Sequence, residues 1–412
     1  MIHSFFMMLT AIAAGTGGVV AQDLVLTNAN VVEVVDGAVT MGVTVTITGG
    51  RIVSIAEGSV IAAAGVRTVD LGGRYLAPGL IDVHVHVASE TDARRALESG
   101  VTTMRSMGTS HYADVGMREL QRAGHATTPQ HLAAGYHVRP QMAEGFFQDH
   151  PELGYLDGGG VTGVEAVRAV TRAIISRGVD FVKTNATERA GLPNTDPRKQ
   201  LYWEDELRAM VEEAAAAGIG VAAHAHGDLG GRAAVAAGVR SIEHGTYLSE
   251  QTLLLMAQRG TYLVPTIAIV RDLTIPGGDY DNAVLNIRGR HMLPRVQEMA
   301  RMAHELGVKI VAATDTGYGP NGTTRLAHEL LELVEIGMTP LEALQAATTT
   351  AAALLEVDDH TGRIALGLEA DLIVLERNPL DDIGVVQDVL MVVSDGVVIV
   401  QRGDWSGKRP VS

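Results

Sequence analysis

Between Asp23 and Val69 the hydrophobic positions fall in short β-branched runs cut by turns. These are Leu24-Val25-Leu26, Val43-Thr44-Val45-Thr46-Ile47 and, after Gly49-Gly50, Arg51-Ile52-Val53-Ser54-Ile55, a texture of strands without helices. It returns near the other end of the chain in Asp371-Leu372-Ile373-Val374-Leu375 and in 389–400, which an Asp395-Gly396 turn divides. Two β-rich ends around a different middle predict one small β-sandwich built from residues 22–73 and 360–412.

In the middle, residues 74–359, an amphipathic helical pattern repeatedly stops at a glycine and a Val-rich strand follows. The junctions are Gly100, Gly124, Gly178, Gly218, Gly238, Gly260 and Gly307. Glycine suits the left-handed residue that commonly ends a helix. Seven junctions link eight strands, starting near Gly79, Val101, Gln130, Val179, Ile219, Arg240, Thr261 and Val308. Eight alternations of strand and helix predict an α/β architecture, a (β/α)8 TIM barrel, with a doubly wound open sheet as the alternative. The length of 412 residues leaves room for both a barrel of about 250 residues and the terminal sandwich.

Composition changes this picture in three ways. The formal net charge of −16 offers no electrostatic footprint for nucleic acid or an anionic membrane, so neither is expected as a partner. The absence of cysteine excludes a disulfide, a thiolate zinc site and a cysteine nucleophile, so any metal must be held by His, carboxylate or an equivalent ligand. Residues 5–21 form an apolar, small-residue run before Gln22-Asp23, so residues 1–21 read as a secretory signal peptide, implying a periplasmic or secreted protein. The n-region lacks Lys and Arg, and a cytoplasmic protein is the alternative.

The candidate chemistry lies at strand ends. In Ile81-Asp82-Val83-His84-Val85-His86-Val87 the period of two puts Asp82, His84 and His86 on one face, and two such imidazoles can share one metal ion. Lys183 follows Val179–Val182, His224 and His226 end Gly220–Gly227, His244 ends Ser241–Gly245, and Asp315 ends Ile310–Thr314. The carboxyl ends of barrel strands are where catalytic groups gather, so these residues converge on one mouth and predict a metal site. A protonated lysine has no lone pair to offer a cation. Carboxylation of its neutral amine by carbon dioxide would make Lys183 an anionic oxygen ligand.

With these segments, and with Ala77-Pro78-Gly79-Leu80 and Gly367-Leu368-Glu369-Ala370-Asp371-Leu372, the chain resembles the metal-dependent amidohydrolase superfamily from about Asp23 to Gly403. The likeness is to its prolidase-like branch, which also holds imidazolonepropionase-like proteins. The resemblance implies two divalent ions, most often zinc. His84, His86 and Asp315 would hold one, His224 and His244 the other, with carboxylated Lys183 bridging them. His226 is the rival to His224; it is expected in the loop beyond the strand and is given to substrate.

The resemblance further implies attack by a metal-bridged hydroxide on a polarised carbonyl, with Asp315 as ligand and base together. Tyr247 and His137 are the candidates to steady the oxyanion. No glutamate follows the histidine of the fifth strand, which favours an open-chain amide over deamination. Similar enzymes release a carboxyl-terminal amino acid from dipeptides, N-acyl amino acids or amides such as ochratoxin. A free carboxylate on that amino acid calls for a cation, with Arg139 and Arg325 as candidates. The loop Thr187-Glu188-Arg189-Ala190-Gly191 stands where relatives carry a glycine pair. A homo-oligomer is expected, as in relatives. The competing readings are a one-metal deaminase or cyclic-amide (imidazolone) hydrolase, and a non-catalytic binding protein.

Overall fold

The computed structural model describes residues 23–58, 63, 65–125 and 127–403; the expected 1–21 leader lies outside them. The amino-terminal strands are β1 (Leu24–Val32), β2 (Val39–Thr48), β3 (Arg51–Glu57), β4 (Arg67–Asp70) and β5 (Tyr75–Pro78). Eight further strands run through the middle: β6 (Leu80–Val85), β7 (Val101–Ser106), β8 (Gln130–Ala133), β9 (His137–Val138), β10 (Val182–Asn185), β11 (Val221–Gly227), β12 (Ser241–Tyr247) and β13 (Tyr262–Val264). The last three are β14 (Leu372–Leu375), β15 (Met391–Ser394) and β16 (Val397–Gln401).

The two chain ends meet in one mixed eight-stranded sheet of order β16-β15-β14-β5-β1-β2-β3, with β4 paired to β1. The Asp395-Gly396 turn is left-handed at both residues, φ 48° and 75°, the conformation that joins tight hairpins. Leu26, Val45, Ile52, Leu76, Leu372 and Val393 form the buried face of this sheet. Strand β5 belongs to it, so the sheet extends past residue 73 before the chain enters the central unit at Gly79. A Cβ at Gly79 would lie 2.2 Å from the Thr102 hydroxyl, so no larger residue fits this crossing.

In the middle, strands β6 to β13 pair in parallel as two runs, β6-β7-β8 and β9-β10-β11-β12-β13, with helices between them. The result is a TIM-barrel-like α/β fold. All seven junction glycines have positive φ, from 69° at Gly260 to 101° at Gly100. Ile81 and Val83 point away from the histidines and pack with Val264, Val311 and Leu354.

Three expected strands differ. The third is split into β8 and β9, and the fourth begins at Val182 rather than Val179. The segment expected as a strand from Val308 holds only two isolated bridges, Ile310 to Leu263 and Thr316 to Val85. Its beginning pairs with β13 and its end with β6, because Val311 N–H donates to Leu263 O and Asp315 N–H donates to His84 O. Between these contacts Asp315 turns left-handed, φ 54°, which interrupts any regular ladder. No described helix is long and apolar enough to cross a membrane.

Candidate metal centre

Period-two alternation in β6 sends Asp82 and His84 to the interior, where the Asp82 carboxylate accepts from Thr314 N–H at 3.1 Å, the Thr314 hydroxyl at 2.7 Å and the Tyr318 hydroxyl at 2.8 Å. These bonds fix the last segment against the first strand and carry Asp315 to the histidines. The Asp315 Oδ1 atom lies 3.4 Å from His84 Nε2 and 3.2 Å from His86 Nε2, and its Oδ2 atom 4.0 Å from His244 Nδ1.

A second group forms from β11 and β12. His226 stacks on His244 with centroids 4.7 Å apart and planes 14° apart, and His224 meets His244 edge-on at 4.6 Å. Candidate ligand atoms lie within 4.8 Å of one another in each of two groups, His84-His86-Asp315 and His224-His226-His244. His226 is inside β11, not in the loop as expected, because the strand continues to Gly227. Both β11 histidines therefore face the cavity.

His244 adopts φ 75°. This left-handed residue breaks the alternation of β12, so Glu243 and His244 both reach the interior although they are neighbours in sequence. Glu243 accepts from His84 Nδ1 at 2.8 Å, from the Ser241 hydroxyl at 2.5 Å and from the Arg105 guanidinium at 3.0 Å. Burial alone would raise the Glu243 carboxyl, but the Arg105 charge, the hydrogen bond from His84 and the nearby Lys183 together outweigh it and bring it to about 2. A fixed carboxylate on Nδ1 leaves Nε2 of His84 as the lone-pair nitrogen facing Asp315.

Electrostatics prepare the remaining groups for a cation. Burial, with Lys183 nearby, lowers His84 to about 4, and burial lowers His226 to about 3. Burial and neighbouring imidazoles or Lys183 hold His224, His244 and His137 well below the usual histidine range. At neutral pH these imidazoles carry lone pairs rather than charge, the form that binds metal. The proximity of the His84 and His86 imidazoles overcomes burial and holds the Asp315 carboxyl well below the carboxylate range. Lys183 is 1% exposed and its Nζ has no hydrogen-bond partner among the described residues. Burial brings its ammonium down to about 8.

These side chains open on a cavity whose wall also includes Ile269, Val270, Leu273 and Tyr280. His137 lies at its side, bonded through Nδ1 to Asn185 Oδ1 at 3.1 Å and packed over Gly108, where a Cβ would come within 2.4 Å of the ring.

Two expected site residues lie elsewhere. Tyr247 does not line the cavity: it is half-buried at the end of β12, with its ring 6.3 Å from that of His291. Arg325 is engaged at a helix start, donating to Thr324 O and lying over the Tyr318 ring at 5.5 Å. Arg139 lines a side cavity joined to the main one through His86, His137 and Arg189. Asn185, Arg189, Tyr280, Glu243 and Arg105 were not among the expected site residues. Arg189 lies in the loop 187–191 and is the only one of these residues to which the sequence pointed.

Residues 75–399 match the Amidohydrolase family. Ochratoxinase of Aspergillus niger is 31% identical over 360 residues, covering 76% of this chain and 72% of its own. Imidazolonepropionase of Symbiobacterium thermophilum is 26% identical over 385 residues, covering 82% and 85%. Among solved structures, an Xaa-Pro dipeptidase with methionine bound in its active site aligns with a TM-score of 0.82 at 27% identity, covering 92% of this chain and 99% of that one.

Proposed function

The chain belongs to the amidohydrolase family and is a hydrolase of C–N bonds; from that premise we propose that it uses two divalent metal ions to cleave the amide bond to a carboxyl-terminal amino acid. Substrates of this kind are dipeptides, N-acyl amino acids and bulkier aryl amides. Ochratoxinase and the Xaa-Pro dipeptidase among its relatives support this substrate range. The observation that carries the reading is the buried, unpartnered Lys183 amine set between two groups of candidate ligands. An ammonium there has no hydrogen-bond acceptor among the described residues and only the charges of Glu243 and Asp315 to offset its burial, whereas a carboxylated amine would be an anion between cations.

The donor set of neutral imidazoles and carboxylate suits zinc. His84, His86 and Asp315 would hold one ion and His244 with His224 or His226 the other, carboxylated Lys183 serving both. When bound, such ions polarise the substrate carbonyl and ionise water near neutral pH. Asp315 accepts the proton of the attacking water and returns it to the departing nitrogen. His137 donates Nδ1–H to Asn185 Oδ1, so its neutral ring presents Nε2 to the substrate as an acceptor for an N–H rather than as a donor to the carbonyl oxygen. Glu243 keeps His84 oriented, and the apolar wall of Ile269, Val270 and Leu273 limits access of bulk water.

Carboxylation has a direct test. With Lys183 lowered to about 8, an appreciable share of the amine is neutral in mildly alkaline solution, the form that adds carbon dioxide. In ¹³C-bicarbonate with zinc, a carbamate carbon resonance is expected in the parent protein and absent in Lys183→Ala; an identical spectrum in both removes the carboxylated lysine.

Glu243 gives a second expected result. Glu243→Gln places an amide against donors on His84 and Arg105 and leaves the Arg105 charge buried without its partner. Metal affinity falls about 10- to 100-fold, and stability falls by roughly 3 kcal/mol or more, read by denaturant unfolding of the metal-free protein. Unchanged zinc affinity would show that Glu243 does not orient a ligand.

A further inference from the structure

The side cavity next to the metal centre is lined by Thr109, Ser110, His137, Arg139 and Arg189 among others, and no carboxylate lines it. Neither of its two guanidiniums makes an ion pair among the described residues; Asp315 shares the main cavity with Arg189 and its carboxyl is lowered by that charge. Arg139 Nε is buried without a hydrogen-bond partner, and the structure gives Arg189 no hydrogen bond or ion pair from its side chain among the described residues. The acid beside Arg189 in sequence is turned away: Glu188 pairs with Lys199 at 2.7 Å and accepts from Asp196 N–H at 2.9 Å. The loop is held in that arrangement by Arg288, whose guanidinium donates to the carbonyls of Ala190, Leu192 and Thr195.

Two like charges facing one small cavity repel each other, and burial with the neighbouring Arg189 charge holds Arg139 below the usual arginine range. A bound anion removes that penalty, and guanidinium pairs suit the two oxygens of a carboxylate. Part of the main cavity wall is apolar, formed by Ile269, Val270 and Leu273. Arg189, the candidate metal ligands and these apolar residues line the same main cavity.

We propose that Arg139 and Arg189 together seat the free carboxylate of the departing amino acid, while the acyl group lies against Ile269, Val270 and Leu273. This rests on the amide-hydrolase reading and gives it a direction: the substrate is an N-acyl amino acid with an apolar acyl part and an anionic leaving part.

The test compares N-octanoyl-L-phenylalanine with N-octanoyl-phenethylamine, which differs by lacking the carboxylate, using the zinc-loaded full chain. The parent protein is expected to favour the acid in kcat/KM by about 100-fold or more, and Arg189→Met to reduce that preference about 10- to 100-fold. Arg139→Met acts in the same direction, and Arg189→Lys keeps part of the preference because it restores charge without the two-pronged geometry. Equal rates on both substrates in the parent, or a preference unmoved in Arg189→Met, overturn the seat while leaving the hydrolase reading intact. If neither amide is cleaved, that substrate reading fails and the seat is decided by calorimetry. L-phenylalanine should then bind the parent at least about 10-fold more tightly than it binds Arg189→Met; equal binding overturns the seat.

Discussion

Asp315→Asn is expected to lower kcat by about 10²- to 10⁴-fold, the range that loss of a positioned proton carrier brings. The substitution keeps size and shape, and Asn tolerates the left-handed φ of 54° at this position, so the fold should persist. What disappears is the negative charge that faces His84 and His86 at 3.4 and 3.2 Å, and with it the proposed acceptor for the proton of the attacking water. The measurement is kcat and KM on an N-acyl amino acid at saturating zinc, with circular dichroism to verify the fold. A kcat within a few-fold of the parent would remove Asp315 from proton transfer.

The second large effect is at Lys183. Lys183→Ala should reduce zinc content from two ions per chain to one or fewer and lower turnover by more than about 100-fold, beyond what loss of a supporting hydrogen bond brings. The space left by the side chain is then open to acetate or propionate, and partial recovery of activity by such acids is expected. Lys183→Met supplies the converse: without metal, an apolar side chain replaces a buried, unpartnered amine, so the metal-free variant should melt at a higher temperature than the metal-free parent. Full activity in both variants would exclude a bridging role.

Much of this arrangement was legible from the chain. His84, His86, Lys183, His224, His244 and Asp315 stood at strand ends, and strand ends of a parallel α/β unit point one way, so their approach followed from topology alone. The β-rich termini were readable for a similar reason: β-branched runs and an Asp-Gly turn are local signals, and 372–375, 391–394 and 397–401 form strands where those signals lay.

The misses have local causes. A strand read with period two makes Glu243 and His244 face opposite ways, and only the left-handed backbone at His244 brings both inward. Tyr247 looked well placed three residues after His244, but β12 carries it out of the cavity towards His291. Tyr280 enters from the loop between Ile267–Asp272 and the long helix Ala283–Glu305, where no periodic pattern aims a side chain. Arg325 was a candidate for the substrate carboxylate, yet its guanidinium is used at the start of the helix Leu326–Glu335.

The bonds from Asp82 to Thr314 join residues 232 positions apart. Contacts of such separation form slowly, because the intervening chain must be ordered before they are rewarded. During synthesis at about 5–20 residues per second, roughly 10–50 s pass between the emergence of these two partners. Throughout that interval the nascent polypeptide displays the histidines of β6 without Asp315, although Glu243, the partner of His84 Nδ1, emerges earlier. In the proposed two-ion centre, capture of both ions would mark the end of folding, and an incomplete or truncated product should be distinguishable from the finished one by its metal content.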